Sequence, residues 1–506
     1  MLIWDTIEVG RNDAANIINS VFGARILARR WAVRIAGLGV VLGAFMSSDV
    51  METARKGIFT PDVFTIDQAL AIYVSVYIVD TVLLYTYSSF GMPVSTTASL
   101  VFELLGASLA LGLLRPDDPV DAVNWAKAGK VIAGIVCSIL LSGVMSFFLQ
   151  RAARGAIRDK WSSLSALLLH GGWIGGGLMA GLAYFMLVKG MKNVSFVKRF
   201  SAAVLHQPYG PFLVVLGLWV FFAIVIHFSL VIYRKRAARL LFPVLTVIGM
   251  VAMAFAFGQN DLANCASPGL AALKLIDGYR SGMTTADITK VPISHWALLV
   301  AGALLMVGMM TRDAQRVTHA AVRAGSAGDH VKLWAPRWCI SLANVVLRLR
   351  RGAPSLAPTQ TKTPRGKTLH FDPLRACVIV CVSASVIATA SALGLPVSTT
   401  YVAFAAIVAS GMADRVYVRG DAALKLGRSI WVVFCWFAAA VIAMIAAGIT
   451  CLAVYYIGIG GMAGCLVVNL CIRRYVRRRA DAQEERVRRD AEERMHPEDF
   501  ALEYEG

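Results

Sequence analysis

The stretch FAFGQNDLANCASPGLAAL, Phe255–Leu273, places polar residues where the surrounding chain is strongly apolar. Asn260, Asp261 and Asn264 lie between two apolar runs, where hydrocarbon would surround them if the chain crossed a bilayer. A charged side chain at the centre of a membrane-spanning helix costs about 2.5–3.5 kcal/mol on insertion scales. The same order, Gly-x-Asn-Asp-x-Ala-Asn, occurs again in VGRNDAANIINSVFGARIL, Val9–Leu27. A costly group that occurs twice in one pattern indicates a function.

The composition is typical of a helical membrane protein. The chain has 506 residues, of which 57% are hydrophobic and 16% charged, and its mean hydropathy is +0.64. Apolar runs of about 18 to 25 residues recur, the length that crosses about 30 Å of hydrocarbon as a helix, whereas a membrane β-barrel would show shorter alternating segments. The sequence therefore predicts an all-α polytopic membrane protein with about 11–12 transmembrane segments. The predicted spans are 31–48, 67–90, 94–114, 128–149, 165–189, 211–233, 241–258, 293–311, 373–393, 396–414, 429–455 and the shorter 458–472.

Basic residues are concentrated on one side of these spans. When successive loops are assigned to alternate sides, the loops 25–30, 150–163, 234–240 and 312–372 fall together and hold most of the loop lysines and arginines. The positive-inside rule places that side in the cytoplasm. We therefore expect an inner cell membrane protein whose N-terminus is outside and whose C-terminal tail is cytoplasmic. This topology accounts for the net charge of +19, so no nucleic-acid partner is expected.

A second motif is also duplicated. GMPVSTTASLVF, 91–102, and GLPVSTTYVAFA, 394–405, each follow an Asn-Asp motif. In the first half, the aspartate of the Asn-Asp motif lies 82 positions before the serine of the Pro-Val-Ser-Thr-Thr motif. In the second half the same distance is 137 positions, and the difference is about the length of loop 312–372. Six predicted spans separate the two helices that carry the Asn-Asp motifs, so one of these helices runs toward the cytoplasm and the other away from it. A broken helix or re-entrant hairpin at each Pro-Val-Ser-Thr-Thr turn leaves these opposite directions unchanged. The two repeats are therefore predicted to be inverted, an architecture found in secondary transporters.

The repeat divides the chain into predicted units. They are 1–114, the first inverted repeat; 115–240, intervening spans; 241–311 with 373–414, the second repeat; 312–372, a basic cytoplasmic loop; 415–472, C-terminal spans; and 473–506, a charged cytoplasmic tail.

The Asn-Asp motifs have the spacing of a binding site on a helix. Residues three and four apart lie on one helical face, so each motif gathers one carboxylate and two amides. Asn and Asp also cap helices and join helices by hydrogen bonds, but that alternative does not explain the same triad in both halves. We interpret them as ion-binding residues: Asn12, Asp13 and Asn16 in the first half, and Asn260, Asp261 and Asn264 in the second.

The Pro-Val-Ser-Thr-Thr motif is a helix break followed by a restart. Pro93 and Pro396 interrupt the preceding helix, and Ser95 and Ser398 are natural N-caps of the next one. A restarting helix presents free N–H groups, a positive dipole and hydroxyls, which together suit an anion.

These motifs resemble those of the PiT family of inorganic phosphate transporters. GRNDAAN, GQNDLANCASP and both PVSTT elements carry the resemblance, which covers both halves without the loops and the tail. It implies cation-coupled phosphate uptake through an inverted-repeat fold, as a homodimer in the lipid bilayer. Arg11 and Gln259 depart from the family, which usually has a small residue there, and Ala98 and Tyr401 stand where it often has His.

The charge of the aspartates predicts different roles for the two motifs. An ionised aspartate repels phosphate, so a co-transported Na⁺ or H⁺ is expected at the Asn-Asp motifs, and no resident cofactor is expected. Glu103, inside a predicted span, is a candidate proton carrier or a structural group paired with a neighbouring donor. The expected cation-coupling residues, which are also the candidate Na⁺ ligands, are Asp13, Asn16, Asp261 and Asn264. The expected phosphate-binding residues are Ser95, Thr96, Thr97, Ser398, Thr399, Thr400, Asn12 and Asn260.

Other functions remain open at this point. The same features would serve a symporter of sulfate or another tetrahedral oxyanion. A channel would need no coupling cation, and a membrane enzyme would need an asymmetric catalytic cluster that the sequence does not offer. A non-transporting receptor or scaffold is the alternative of another class, because Arg11 and Ala98 depart from the family.

Overall fold

The structure, a computed structural model, describes residues 1–46, 63–114, 119–186, 194–205, 207–280, 294–328, 330–348, 356, 369–418 and 420–494. Over these ranges the chain is helical, with short 3₁₀ turns and no β-strand. The α-helices are α1 Leu2–Gly23, α2 Arg29–Phe45, α3 Ile66–Ser89, α4 Thr96–Gly112, α5 Trp125–Ile157, α6 Leu164–Ala183, α7 Ser195–Phe200, α8 Gly210–Arg280, α9 His295–Met309, α10 Arg312–Ala324, α11 Arg337–Arg348, α12 Pro373–Ala392, α13 Thr399–Ala413, α14 Ala422–Ile457 and α15 Ile459–Arg494.

The helices confirm the predicted all-α membrane class. In the described part of the chain, seven helices are long and apolar enough to cross a membrane, or eight if the bent pair α9 and α10 is one span. This is fewer than the 11–12 predicted spans, for a structural reason. Helix α8 counts once among the seven, but it consists of two helices joined at a kink at Arg234 (φ 46°, ψ −123°), and the predicted spans 211–233 and 241–258 lie one on each part. Four other predicted spans form helices of only 15 or 17 residues, namely α2, α4, α9 and α13.

Helix α1 lies at the centre of the fold and is buried along most of its length. It packs against α2, α3, α8, α9 and α10. A Cβ atom on Gly10 would lie 2.1 Å from the carbonyl oxygen of Leu305 on α9, and one on Gly258 would lie 2.2 Å from that of Val40 on α2. The glycine two residues before the first Asn of each motif therefore lets a neighbouring backbone approach closely, as small residues do between membrane helices.

Two helices begin in the interior of the protein. The turns before α4 and α13 contain Gly91 (φ 63°) and Gly394 (φ 67°), in the left-handed region that glycine adopts without strain. Ser95 Oγ then accepts the Ala98 N–H at 3.0 Å, and Ser398 Oγ accepts the Tyr401 N–H at 3.1 Å. The two helices consequently start at buried N-termini.

A buried arginine joins the ends of three helices. Arg154, near the end of α5, forms ion pairs with Asp372 before α12 at 2.7 Å and with Asp414 after α13 at 2.8 Å. All three side chains are buried. The described part of the segment 312–372, predicted as a basic loop, carries helices α10 and α11.

Candidate functional site

The two Asn-Asp motifs lie on α1 and α8, and the structure brings both into contact with both helix breaks. All six of their polar side chains are buried, with exposed fractions between 0 and 5%. The hydroxyl-bearing residues at the starts of α4 and α13 are buried to a similar degree. Every residue predicted for phosphate or cation binding, except Glu103, therefore belongs to one compact polar cluster in the apolar core. Its members are Asn12, Asp13, Asn16, Ser95, Thr96, Thr97, Asn260, Asp261, Asn264, Ser398, Thr399 and Thr400.

The first Asn of each motif holds the helix break of its own half. Asn12 Nδ2 donates to the carbonyl oxygen of Val94 at 2.6 Å, and Asn260 Nδ2 donates to that of Val397 at 2.7 Å. Asn260 Oδ1 also accepts the Val397 N–H at 3.2 Å. The proline before each valine interrupts the helical hydrogen-bond pattern, so the amide side chains satisfy backbone groups that the break leaves free.

The last Asn of each motif contacts the helix break of the other half. Asn16 Nδ2 donates to Thr400 Oγ1 at 2.9 Å, and Asn264 Nδ2 donates to Thr97 Oγ1 at 2.8 Å. Thr97 Oγ1 in turn donates to the Val397 carbonyl at 2.9 Å. The two halves are thus joined by equivalent hydrogen bonds in both directions.

The two aspartates lie on either side of one hydroxyl. Thr96 Oγ1 is 3.3 Å from Asp13 Oδ2 and 3.1 Å from Asp261 Oδ1. Asp13 Oδ1 also accepts the Thr400 hydroxyl at 2.7 Å. Because a hydroxyl has one proton, Thr96 can donate to only one carboxylate at a time. Asp13 Oδ1 also accepts hydrogen bonds from Asn12 and Asn16, at 2.9 Å each, whereas Asp261 Oδ1 accepts one from Asn264 at 3.0 Å. Asp13 is therefore well supplied with donors, and the shortage falls on Asp261.

Unsatisfied oxygens remain in the cluster. In the described ranges neither Asp13 nor Asp261 forms an ion pair with a basic side chain, and Asp261 Oδ2 and Asn264 Oδ1 have no hydrogen-bond partner. Buried polar atoms without partners are rare in native structures. Carboxylate and amide oxygens are ligands of hard cations, so these two atoms fit a small cation. No group of three or more His, Cys, Asp or Glu side chains arranged for a metal ion occurs in the part of the chain that the structure describes.

The serine hydroxyls serve first as helix caps. Ser95 and Ser398 each accept a backbone N–H of their own helix, three residues on, so their free capacity is the hydroxyl proton. Thr96, Thr97 and Thr400 face the aspartates and asparagines directly. Thr399 lies beside Asp261. The threonines are therefore better placed than the serines to contact a ligand between the two motifs.

Glu103 lies outside this cluster, seven residues along α4 from Thr96. It is fully buried, and neither carboxylate oxygen has a hydrogen-bond partner. Its surroundings are acidic, because Asp5 on α1 and Asp80 on α3 are close enough to act on it electrostatically. No sequence pattern connects Asp5 with Glu103, since 98 positions separate them along the chain.

The departures from the family pattern have structural partners. Arg11 Nη1 lies 3.0 Å from Glu8 and 3.5 Å from Asp313 on α10. The ring of Tyr401 stacks on Trp436 of α14, with centroids 3.9 Å apart. Arg11 is thus held by acidic side chains, and Tyr401 by ring stacking.

Several groups around the cluster belong to no sequence motif and were not predicted. The carbonyl oxygens of Val94 and Val397 are backbone atoms, whose role no side-chain pattern reveals. Ser88, whose hydroxyl lies 3.3 Å from Asn12 Oδ1, belongs to the helix before the break. Arg428 on α14 donates to the Gly91 carbonyl at 2.8 Å. The one available signal for Arg428 was a basic residue at the start of an apolar run.

Comparison with known proteins places these features in a wider group. Two archaeal proteins, each named "Putative phosphate permease", are similar along most of their length. The one from Thermococcus kodakarensis is 27% identical over 416 residues, covering 81% of this chain and 86% of the relative. The one from Pyrococcus furiosus is 26% identical over 452 residues, covering 87% and 91%. A solved structure titled "The sodium-dependent phosphate transporter" has the same fold, with a TM-score of 0.63 and 22% identity over 90% of this chain and 96% of that one.

The family model described as the phosphate transporter family matches residues 9–321 and 332–447. The match includes both Asn-Asp motifs and both Pro-Val-Ser-Thr-Thr breaks, the elements that build the buried cluster. The chain belongs to the phosphate transporter family.

Proposed function

We propose that this protein is a secondary active transporter that imports inorganic phosphate together with Na⁺ or H⁺ by alternating access. The observation that carries the proposal is the reciprocal pairing of the two halves: Asn16 with Thr400, and Asn264 with Thr97. A site built jointly by two halves can open to either side when one half moves against the other, as in transporters built from repeats.

The anion is proposed to bind at the starts of α4 and α13. Their buried N-termini offer free N–H groups and the positive end of the helix dipole, and Thr96, Thr97, Thr399 and Thr400 add hydroxyls. Ser95, Ser398, Asn12 and Asn260 hold these termini in place. Because these donors are neutral, they bind phosphate less tightly than fixed cationic side chains would. Phosphate can therefore be released.

Cation coupling follows from charge. Moving one negative charge inward against 100 mV, negative inside, costs about 2.3 kcal/mol. Phosphate at this site also lies beside Asp13 and Asp261, whose charges oppose it. Cations bound at Asp13, Asn16, Asp261 and Asn264 reduce both obstacles, because each offsets the charge of one carboxylate in the site and is then carried inward with the phosphate charge.

Na⁺ is the favoured coupling ion. Asp261 Oδ2 and Asn264 Oδ1 are buried oxygens without hydrogen-bond partners, and oxygen ligands of this kind suit a hard cation. The similar solved structure is described as sodium-dependent. H⁺ is the alternative, and Glu103 is then the candidate carrier because its carboxyl group is buried without a hydrogen-bond partner.

The two halves are proposed to be inverted repeats, divided as the sequence motifs suggest. The exchange-symmetric contacts Asn12–Val94 and Asn260–Val397 support two equivalent units. The charge of the loops supports an external N-terminus and a cytoplasmic location for the charged C-terminal part of α15, from residue 473 onward. A homodimer is proposed from the family resemblance alone. Arg477→Cys, on the exposed face of α15, tests the orientation: an impermeant thiol reagent applied to whole cells should not label it, and strong labelling would reverse the assignment.

Uptake of radiolabelled phosphate into proteoliposomes, with Na⁺ and pH gradients imposed separately, tests the function. We expect accumulation against a phosphate gradient that depends on the Na⁺ gradient, as coupling through Asp13 and Asp261 requires. Competition by unlabelled sulfate distinguishes a sulfate or general oxyanion symporter. Absence of any accumulation would favour the receptor or scaffold, and downhill flux alone would indicate a channel.

A further inference from the structure

A cavity of about 310 Å³ lies between α10, the C-terminal helix α15 and the turn that precedes α4. Its volume is at the lower end of the range for small-molecule sites, about 300–1,000 Å³. None of the Asn-Asp or Ser-Thr-Thr residues lines it, so it is separate from the cluster described above. Six cationic side chains line it: Arg312, Arg316, Arg323, Lys332, Arg428 and Arg488.

The cavity carries a strong excess of positive charge. Among its described lining residues Glu484 is the only carboxylate. Three further acids reach the lining cations: Asp313 and Asp481 lie 3.2 and 2.6 Å from Arg316, and Glu492 lies 3.7 Å from Arg488. Even with these included, six cations face four carboxylates. Such a concave basic surface attracts anions and concentrates them.

Carboxylates of α15 occupy the position that an oxyanion would take on Arg316. Arg316 Nη2 lies 2.6 Å from Asp481 Oδ1 and 2.6 Å from Glu484 Oε2. Both acids are about half exposed, with 52% and 54% of the side-chain surface accessible. Guanidinium groups bind carboxylate and phosphate oxygens with the same geometry. The docked helix therefore competes with any anion for this donor.

The wall of the cavity continues into the turn before α4. Phe90 and Gly91 line the cavity, and Arg428, which is buried, donates to the Gly91 carbonyl at 2.8 Å. Gly91 is four residues before Ser95, at the start of α4. An anion in the cavity would thus lie beyond the turn that carries the first Pro-Val-Ser-Thr-Thr motif, on the side of the fold that holds α15.

We propose that this cavity is a second phosphate-binding site, through which phosphate passes between the buried polar cluster and the side of the membrane where the charged C-terminal part of α15 lies. The proposal rests on the proposed function, because it takes inorganic phosphate as the transported ion. Phosphate in the cavity binds the basic side chains, and the carboxylates of α15 compete with it at Arg316. The C-terminal helix therefore lowers the affinity of the second site and favours release.

Equilibrium dialysis of detergent-purified protein against radiolabelled inorganic phosphate tests the proposal. The parent should bind two phosphates per chain. Thr97→Val with Thr400→Val should remove the cluster site and leave one, and Arg323→Gln with Lys332→Gln should remove the cavity site and leave the other. Phosphate binding by the Arg323/Lys332 variant that equals the parental stoichiometry and affinity would overturn the second site. If instead the Thr97/Thr400 variant binds like the parent, the proposed cluster site fails while the cavity site is still judged by the Arg323/Lys332 variant.

A substitution on the exposed face of α15 keeps the proposal testable even if the Arg323/Lys332 variant fails to fold. Glu484→Gln removes the carboxylate that lines the cavity, and should tighten phosphate binding to the Thr97/Thr400 variant by about two- to fivefold, the size expected for a partly exposed ion pair. Glu485→Gln, a neighbouring exposed acid that does not line the cavity, is the matched control and should not change binding. Equal effects of the two substitutions, or none, would contradict the competition.

The phosphate group of a lipid has the same chemistry as the free ion. Dialysis of the Thr97/Thr400 variant in nanodiscs of phosphatidylcholine and of phosphatidylglycerol separates the two sources. Equal binding of inorganic phosphate in both supports the free ion as the occupant. Loss of binding in phosphatidylglycerol alone would assign the cavity to a lipid headgroup and overturn the proposal.

Discussion

Asn16 on α1 donates a hydrogen bond to the hydroxyl of Thr400 at the start of α13, at 2.9 Å, although 384 positions separate them along the chain. The equivalent bond in the other direction joins Asn264 to Thr97 at 2.8 Å. Each duplicated motif therefore completes the site of the other half. Substitutions in either half should therefore affect one common site.

Removing either aspartate charge should uncouple transport from the cation. Asp13→Asn and Asp261→Asn keep the side-chain shape and one side-chain oxygen, but each removes the negative charge that favours a bound cation. We expect Na⁺-stimulated phosphate uptake to fall by about tenfold or more in each variant, with normal membrane insertion. Uptake in proteoliposomes across a Na⁺ titration measures this. If both variants keep the parental ion dependence, the aspartates are structural and the proposed mechanism is wrong.

Removing the threonine hydroxyls should weaken the anion site. Thr97→Val and Thr400→Val keep the side-chain volume and remove one buried hydroxyl each, of which Thr400 is bound to Asp13 at 2.7 Å. A hydrogen bond to a charged group is worth about 1.5–3 kcal/mol, so we expect the apparent phosphate affinity to fall about 10- to 100-fold. Thr97→Ser and Thr400→Ser retain the hydroxyl and serve as controls. Identical KM values for the Val and Ser variants would show that the anion binds elsewhere.

Adding one methyl group between α1 and α9 should destabilise the protein. In Gly10→Ala the new Cβ would lie 2.1 Å from the Leu305 carbonyl oxygen, which the backbone must move to avoid. We expect a loss of about 3 kcal/mol or more, at the upper end for overpacking, seen as a lower Tm in detergent. Gly143→Ala, where no atom lies within 4 Å of the new Cβ, is the matched control and should leave the Tm nearly unchanged. Comparable Tm values for both would mean that α1 and α9 are farther apart.

The buried ion pairs of Arg154 should be important for stability. Arg154→Met leaves Asp372 and Asp414 buried without their shared cation, and breaking a buried pair in this way costs about 3–5 kcal/mol. Converting both acids in the same protein, as Arg154→Met with Asp372→Asn and Asp414→Asn, should recover part of the loss. Thermal unfolding of the three proteins measures the difference. A triple variant less stable than Arg154→Met would contradict this account.

The stability should decrease in mild acid because of His370, which lies in the connection before α12. Burial, followed by the positive charges of Arg323 and Arg25 and the effects of His319 and Lys425, lowers the pKa of His370 well below its usual value. Its Nδ1 contacts Ser326 Oγ at 3.1 Å. Because the unfolded chain binds the proton more readily, stability is complete above the unfolded pKa of about 6.5 and is lost as the pH falls below it.

His370→Gln tests this dependence, because Gln keeps hydrogen-bonding capacity without titrating. The Tm of the parent should fall more steeply between pH 7 and pH 5 than that of the variant. Parallel Tm curves over this range would exclude His370 as the titrating group.

The sequence alone determined the membrane class, the two pairs of motifs and the residues that meet in the buried polar cluster. Long apolar runs and intramembrane polar residues depend on local composition, and the spacing of Asn and Asp along a helix fixes which side chains share a face. The structure has fewer long apolar helices than the predicted spans, because hydropathy does not show that α4 and α13 are short helices that begin at a break in the interior. Tertiary structure alone decided that Asn16 contacts Thr400, that Thr96 lies between the two aspartates, and that α15 covers a basic cavity. These contacts join residues far apart along the chain, and only the close packing of helices around Gly10 and Gly258 sets the distances between them.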